Sequence, residues 1–233
     1  AFLQRINFDK GNRYSVPFVL GASLVAVNVK QVKNYTESWN IFARKDLIQR
    51  MTMLDDMREV LGAALKTHGF SINTTNLAEL KKAKETVSVW RDNILKFDAE
   101  TFAKSFASGA LYAVHCYPEN VIQEYNEKKL AAGVKFFIPK EGGPMYVDNM
   151  LVLESSANKD LAHIFINYLM RPDIYARIID RLHLPSINVP ARKLVKNPPL
   201  YKIEDLERSE FIEDIGDAID IYNRIWQELR ISG

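Results

Sequence analysis

A chain of 233 residues, with 47% hydrophobic and 26% charged residues, has the composition of an ordinary globular protein and can bury one large core or two smaller ones. Its 31 basic and 29 acidic residues leave a net charge of +2, which excludes an electrostatic case for nucleic-acid binding. A single cysteine, Cys116, excludes an internal disulfide and a cysteine metal cluster, and no apolar stretch has the length of a membrane span.

The first segments of the chain favour short strands. Residues 14–28 are apolar and β-branched, and Pro17 and Gly21 interrupt them, which predicts two strands with a crossing between them. Residues 38–42 predict a short turn or helix that buries its tryptophan. Residues 50–54 predict a strand that leads into an acidic run.

Two helices then follow with clear start signals. Asp56 is an N-cap candidate, and Glu59 stands three residues later at the spacing of a capping box. Gly69 is a predicted stop for this helix. Asn76 and Glu79 repeat the same device for a second helix. The predicted buried face of the first helix consists of Val60, Leu61, Ala64 and Leu65.

The second half of the chain continues the alternation. Residues 110–117, 134–139 and 145–154 predict strands, and Asn158 is a candidate cap for a helix. The apolar face of that helix consists of Leu161, Ile164, Phe165, Tyr168 and Leu169. Two further helices carry apolar residues at positions 174, 178, 179 and 182, and at 211, 215, 218, 219, 222, 226 and 229. Strands that alternate with helices predict an α/β protein.

Several kinds of chemistry find no support in the sequence. The histidines form no helical pair and have no neighbouring carboxylate cluster, which argues against a metal site. Cys116 has only His115 beside it, and adjacent strand residues point to opposite faces, so we expect a buried inert thiol. No Gly-x-Ser-x-Gly elbow occurs, and Gly142-Gly143 lacks the Lys-Ser/Thr of a phosphate loop.

Carboxylates near aromatic residues remain as candidates. Tyr146 and Asp148 are two positions apart, so a strand would present a ring and a carboxylate on one face. That pairing suits an organic ammonium ion, because the ring quadrupole and the fixed charge both attract a cation. Taken singly, Asp56 and Glu59 are explained as a capping box and Tyr146 as ordinary core.

Nine short motifs occur in a fixed order along the chain. They are Tyr14–Pro17 leading to Gly21-Ala22, Ser38-Trp39, Asp55–Val60, Asn73–Asn76, Pro139–Gly143 followed by Asp148, Asn158-Lys159 opening a helix with Phe165–Leu169, Arg171–Asp173, Asn188, and Ala191–Lys193. In this order and spacing, from about residue 13 to the C-terminus, the chain resembles the periplasmic polyamine-binding proteins of ABC transporters, the spermidine/putrescine receptor family.

The resemblance implies a fold and its division. It implies an α/β, two-lobed periplasmic-binding-protein fold of type II with the ligand in the cleft between the lobes. Residues 1–23 and 147–201 would form the first lobe, and residues 24–146 and 202–233 the second. It also implies further strands and helices of the first lobe before Ala1. We therefore expect a fragment, a chain whose beginning has been removed, or a chain that needs a partner segment.

The same resemblance implies a set of binding residues. Asp56 and Glu59 would bind ammonium or imino groups of the ligand, and Asp148 would pair with an amine. Tyr117 and Tyr146 stand where tryptophans commonly line the cleft, which keeps a ring but offers a weaker cation-π face.

The implied function is capture of spermidine or putrescine and delivery to an ABC permease in the periplasm, without a metal, a cofactor or an enzyme activity. A lipid anchor before Ala1 stays an open alternative. Leu184 and Ile212 fall where the family usually has a tyrosine and a glutamine, so the preferred polyamine and the ligand class are also open. The alternatives are a receptor for an amino acid or a thiamine-like cation, a hydrolase using two carboxylates, and a pure interaction module.

Overall fold

The computed structural model describes residues 8–125 and 133–231. The chain divides into two compact units. The small unit comprises Ala1–Gly21 and Tyr146–Ile203, and the large unit comprises Ala22–Met145 and Glu204–Gly233. The lobe boundaries predicted from the resemblance differ from these by one or two residues.

The described residues form both strands and helices in alternation. The strands are β1 (Val16–Ala22), β2 (Leu24–Asn28), β3 (Met51–Met53), β4 (Lys96–Phe97), β5 (Ala113–Cys116), β6 (Val134–Phe137), β7 (Pro144–Met150) and β8 (Glu210–Phe211). The α-helices are α1 (Met57–Thr67), α2 (Leu77–Arg91), α3 (Phe102–Ala107), α4 (Pro118–Glu124), α5 (Lys159–Leu169), α6 (Pro172–Leu182) and α7 (Ile219–Ile231). Short 3-10 helices span Trp39–Ala43, Lys45–Leu47, Pro190–Lys193, Ile203–Leu206 and Gly216–Ala218. No helix in these ranges has the length and apolarity needed to cross a bilayer.

A five-stranded mixed sheet forms the centre of the large unit, with strand order β4-β3-β5-β2-β6. Strand β2 runs antiparallel to β5 and β6, and β3 runs parallel to β4 and β5. Helices α1, α2 and α7 pack on one another and contribute to the hydrophobic core. Trp39 is fully buried in that core, as predicted, and its indole Nε1 donates a hydrogen bond to the Gly142 carbonyl at 2.7 Å.

The first strand pair is confirmed, but its break is not where the sequence predicted it. Strand β1 runs through both Pro17 and Gly21, and the interruption falls at Ser23. Proline is tolerated because β1 is an edge strand of the sheet β1-β7-β8. Glycine at position 21 leaves room for the Tyr146 ring, because a Cβ there would lie 2.2 Å from Tyr146 Cζ and the ring would have to move.

Helix α5 is confirmed as a helix, but its surroundings in the small unit differ from expectation. Asn158 makes no side-chain capping bond, and the described residues leave the helix without any fully buried side chain. Four residues of its apolar face are largely exposed, namely Leu161 (65%), Ile164 (65%), Phe165 (58%) and Tyr168 (46%). Periodicity correctly predicted the face, but the described residues do not cover it.

Candidate functional site

The start of α1 positions the first two candidate residues in the large unit. Asp56 is the N-cap, and its Oδ1 accepts hydrogen bonds from the amides of Arg58 at 2.8 Å and Glu59 at 3.1 Å. The capping role predicted for Asp56 is therefore confirmed. A capping box would also turn the Glu59 carboxylate back to the Asp56 amide. In the described structure that carboxylate instead accepts a bond from Tyr117.

Glu59 is a carboxylate with 1% of its surface exposed. Tyr117, directly after strand β5, donates its hydroxyl to Glu59 Oε1 at 3.3 Å. Burial, followed by the negative charges of Glu59 and Asp56, raises the pKa of Tyr117 well above its usual value. The phenol therefore stays protonated and serves as a hydrogen-bond donor to a buried carboxylate.

Arg58, which lies between these two acids in the sequence, forms its hydrogen bonds with other residues. Arg58 donates to Asn73 Oδ1 at 2.6 Å and to the Glu213 carbonyl at 3.0 Å, and its guanidinium lies over the Tyr222 ring at 5.3 Å. The described structure contains no ion pair between Arg58 and either Asp56 or Glu59. Arg58 therefore does not form an ion pair with either acid at the start of α1.

His115 lies beside Glu59 and is not among the residues that the sequence predicted for the site. It is fully buried, and its Nε2 lies 3.7 Å from Glu59 Oε2. A signal for it existed, because His115 and Tyr117 are two positions apart at the end of a strand and therefore share a face. In the sequence, His115 is notable only as the neighbour of Cys116. Cys116 is buried as predicted, and burial raises the pKa of its thiol well above the usual value.

Tyr146 and Asp148 lie on strand β7, in the part of it that belongs to the small unit. Their spacing places them on one face of the strand, as predicted. Tyr146 is half-buried against Gly21, whereas Asp148 is exposed. Partial burial nevertheless raises the pKa of Asp148, because it disfavours the ionised carboxylate. A neighbouring cation would lower this pKa again.

The structure therefore groups the predicted residues in two sets. The acid-tyrosine cluster, defined as Asp56, Glu59 and Tyr117, belongs to the large unit, and Tyr146 with Asp148 belongs to the small unit. Leu184 is buried in the small unit. Within residues 8–125 and 133–231, no three His, Cys, Asp or Glu side chains are arranged to hold a metal ion.

Residues 3–205 match the family model described as bacterial extracellular solute-binding protein. The chain belongs to this family. The family consists of solute-binding proteins and not of enzymes, so the hydrolase alternative is set aside.

Individual members of the solute-binding family refine this assignment. The chain is 32% identical to spermidine/putrescine-binding periplasmic protein 1 of Haemophilus influenzae, over 96% of this chain and 63% of that protein. It is 28% identical to the spermidine/putrescine-binding periplasmic protein of Escherichia coli, over 96% of this chain and 65% of that protein. The chain thus spans slightly less than two thirds of the length of these curated relatives.

A crystal structure of the TpPotD lipoprotein of Treponema pallidum superposes with a TM-score of 0.93 at 43% identity, covering 97% of this chain and 72% of that one. The motif-based resemblance to polyamine-binding proteins and the predicted fold class, that of two-lobed α/β periplasmic binding proteins, are thereby confirmed.

Proposed function

We propose that this chain is the ligand-capturing part of a polyamine receptor that binds spermidine or putrescine. The observation that carries the proposal is the acid-tyrosine cluster: a nearly inaccessible carboxylate, Glu59, is hydrogen-bonded by Tyr117 and left without an ion pair to the adjacent Arg58. Such a group is suited to an ammonium ion from a ligand, because a carboxylate that is already oriented forms strong charge-assisted hydrogen bonds in a low-dielectric site.

The polyamine chemistry assigns a role to each predicted residue. Asp56 and Glu59 receive one ammonium or imino group, and Asp148 receives another, as the family resemblance implies. The rings of Tyr117 and Tyr146 cover methylenes and add cation-π attraction. The raised pKa of Asp148 supports this assignment. Partial burial disfavours the ionised form of the carboxyl group in the empty protein, and a bound cation would stabilise that form.

The proposed location follows the relatives' names, and the proposed partner follows the resemblance to the polyamine-binding proteins of ABC transporters. The whole protein would act outside the cytoplasmic membrane, in the periplasm, and deliver its ligand to an ABC permease. The name of the Treponema relative, a lipoprotein, supports a lipid anchor as the means of attachment.

Calorimetric titration of the purified whole protein with spermidine and putrescine tests the proposal. We expect saturable binding, with Glu59→Gln weakening it by at least tenfold, because a hydrogen bond to a charged group contributes about 1.5–3 kcal/mol. Glu100→Gln is a matched control on the surface of the same unit. Wild-type protein that gives no binding heat with either polyamine, and no shift of its unfolding temperature, would contradict the proposal.

A second candidate ligand is another small organic cation. The observation that favours it is Leu184, which is buried in the small unit where the polyamine family usually has a tyrosine. Native mass spectrometry of protein purified without added ligand separates the two, because a co-purified molecule is identified by its mass.

A further inference from the structure

His115 is the buried polar group that the proposed binding site does not use. It lies on β5, the central strand of the five-stranded sheet, paired with Val25 of β2. Its ring packs edge-on against Trp39, with ring centroids 4.8 Å apart and an interplanar angle of 74°. Neither ring nitrogen has a hydrogen-bond partner among the described residues.

The Glu59 carboxylate that faces His115 also has a buried atom without a hydrogen-bond partner among the described residues. Glu59 Oε1 accepts the Tyr117 hydroxyl, but Oε2 is buried and has no hydrogen-bond partner among the described residues. The 3.7 Å between Oε2 and His115 Nε2 is longer than a hydrogen bond, yet a small side-chain rotation closes it. Buried polar groups are almost always hydrogen-bonded, so two opposed groups without partners point to each other.

We propose that His115 is a positioning residue for Glu59, which it holds by sharing one proton across Nε2 and Oε2 when the receptor is empty. This inference rests on the proposed function, because it explains how the buried carboxylate is kept oriented before a cation arrives. One shared proton satisfies both unpartnered atoms and leaves the pair without a net charge, which is far less costly than an isolated buried carboxylate.

A ligand ammonium group then competes with the imidazolium for the same carboxylate. Binding of the cation makes the His115 proton unfavourable, and the proton leaves to solvent, so cation capture is linked to proton release. Because binding releases a proton, the shared proton becomes harder to displace as the pH falls, and polyamine affinity should decrease by at most tenfold per pH unit for one proton.

The charged groups on the surrounding elements are mostly acidic. Asp56 of α1 and Glu119 of α4 both act electrostatically on Tyr117 and add negative charge around the pair, whereas Arg58 is turned to Asn73. Glu141 bonds Ser38, next to Trp39. Val25 of β2 pairs with His115 in the sheet, and Trp39 packs against its ring; both are buried and uncharged.

Binding calorimetry between pH 5.5 and 8 tests the proton linkage. In wild-type protein, spermidine titrations in buffers of different ionisation enthalpy should show release of up to one proton, and the affinity should fall as the pH is lowered. His115→Gln should flatten the pH dependence and abolish the buffer-dependent heat. His68→Gln is the matched control, because His68 is exposed and bonds Thr86 Oγ1 instead. A pH dependence in His115→Gln equal to that of wild type would overturn the proposal.

A measurement without ligand separates this inference from the proposed function. The titration of the His115 ring, followed by NMR in the empty protein, should have its midpoint at lower pH in Glu59→Gln than in wild type, while His68 should titrate unchanged. If no polyamine binds but this midpoint moves, the proposed function fails and the His115–Glu59 coupling stands. If polyamine binds and the midpoint does not move, the coupling fails alone.

Discussion

At the scale of single residues, Glu59 is a carboxylate that is both at a helix start and buried. It stands in the first turn of α1, where the positive end of the helix dipole favours a negative charge, and it is almost completely buried. A carboxylate in that position needs partners, and Tyr117 provides one of them. Tyr117 therefore has two proposed roles: its hydroxyl orients the Glu59 carboxylate, and its ring offers a surface to the ligand.

Tyr117→Phe removes that hydroxyl and keeps the ring. We expect polyamine affinity to fall about three- to tenfold, because a hydrogen bond of this kind contributes about 0.5–1.5 kcal/mol and its loss leaves Glu59 less well oriented. Calorimetry measures the change. Tyr125→Phe is the control, since the Tyr125 hydroxyl donates to the Phe106 carbonyl, away from the cluster. Equal losses in the two variants would mean that the Tyr117 hydroxyl has no specific role.

At the scale of elements, the start of α1 combines an observed folding role with a proposed role in recognition. The Asp56 side chain satisfies two backbone amides of the helix, a role that asparagine performs equally well. The cap itself does not require a negative charge, whereas the proposed cationic ligand does. Substitutions that separate the cap from the charge can therefore separate stability from binding.

Asp56→Asn should leave the free energy of unfolding within about 0.5 kcal/mol of wild type and weaken polyamine binding. Asp56→Ala should weaken binding as well and also lower the free energy of unfolding by about 0.5–2 kcal/mol. Urea unfolding and calorimetry give the two quantities. Asn76→Ala, which removes the equivalent cap of α2, should cost similar stability without a change in binding. If Asp56→Asn binds like wild type, Asp56 acts only as a cap.

The turn that precedes α3 is held by a carboxylate outside the proposed site. Asp98 accepts bonds from the amides of Glu100 and Thr101, from the Thr101 hydroxyl and from Lys96. Burial opposes ionisation of Asp98, but these bonds outweigh it and lower the pKa to about 2. A depressed carboxyl pKa stabilises the fold above the unfolded-state value near 4, and this contribution disappears as the pH falls toward 2.

Asp98→Ala should therefore lower the free energy of unfolding by about 1–3 kcal/mol at pH 7, and the difference from wild type should shrink between pH 4 and pH 2. Denaturant titrations at several pH values measure it. Asp92→Ala, at an exposed carboxylate, is the control. A difference that stays constant down to pH 2 would show that the charge of Asp98 contributes nothing.

At the scale of the whole molecule, the two units differ in how completely they bury apolar surface. The large unit has a core that includes Trp39, Trp90 and Phe42, whereas the α5 face of the small unit exposes Leu161, Ile164, Phe165 and Tyr168. Contiguous exposed apolar patches of this kind bind hydrophobic probes and favour association.

The dye ANS should therefore show enhanced emission with this chain. The double variant Leu161→Gln/Phe165→Gln should lower that emission, because it removes the two large side chains at the centre of the patch. Leu77→Gln/Val89→Gln is the matched control, at exposed but isolated positions of α2. Fluorescence titration measures the emission, and an equal decrease in both double variants would contradict the assignment of the patch.

Local signals predicted most of the fold, while partners distant in sequence could not be predicted. The caps Asp56 and Asn76 and the buried face of α1 follow from spacing alone, and all are observed. Local sequence rules predict a strand break at Gly21, because the ring of Tyr146 that occupies the space beside this glycine is far along the chain. The partner of Glu59 was predicted to be its own helix start and is instead Tyr117, which only the tertiary fold brings close.

The edge-on contact between Trp39 and His115 gives the protein an internal optical probe. A protonated imidazole quenches the emission of an adjacent indole, and a neutral one does so much less. Trp39 packs against His115, which lies 3.7 Å from Glu59, so its emission would report whether this histidine carries a proton. Filling of the binding site would then be visible as an increase in tryptophan fluorescence, with Trp90 and Trp226 as a constant background, and without any label on the ligand or the protein.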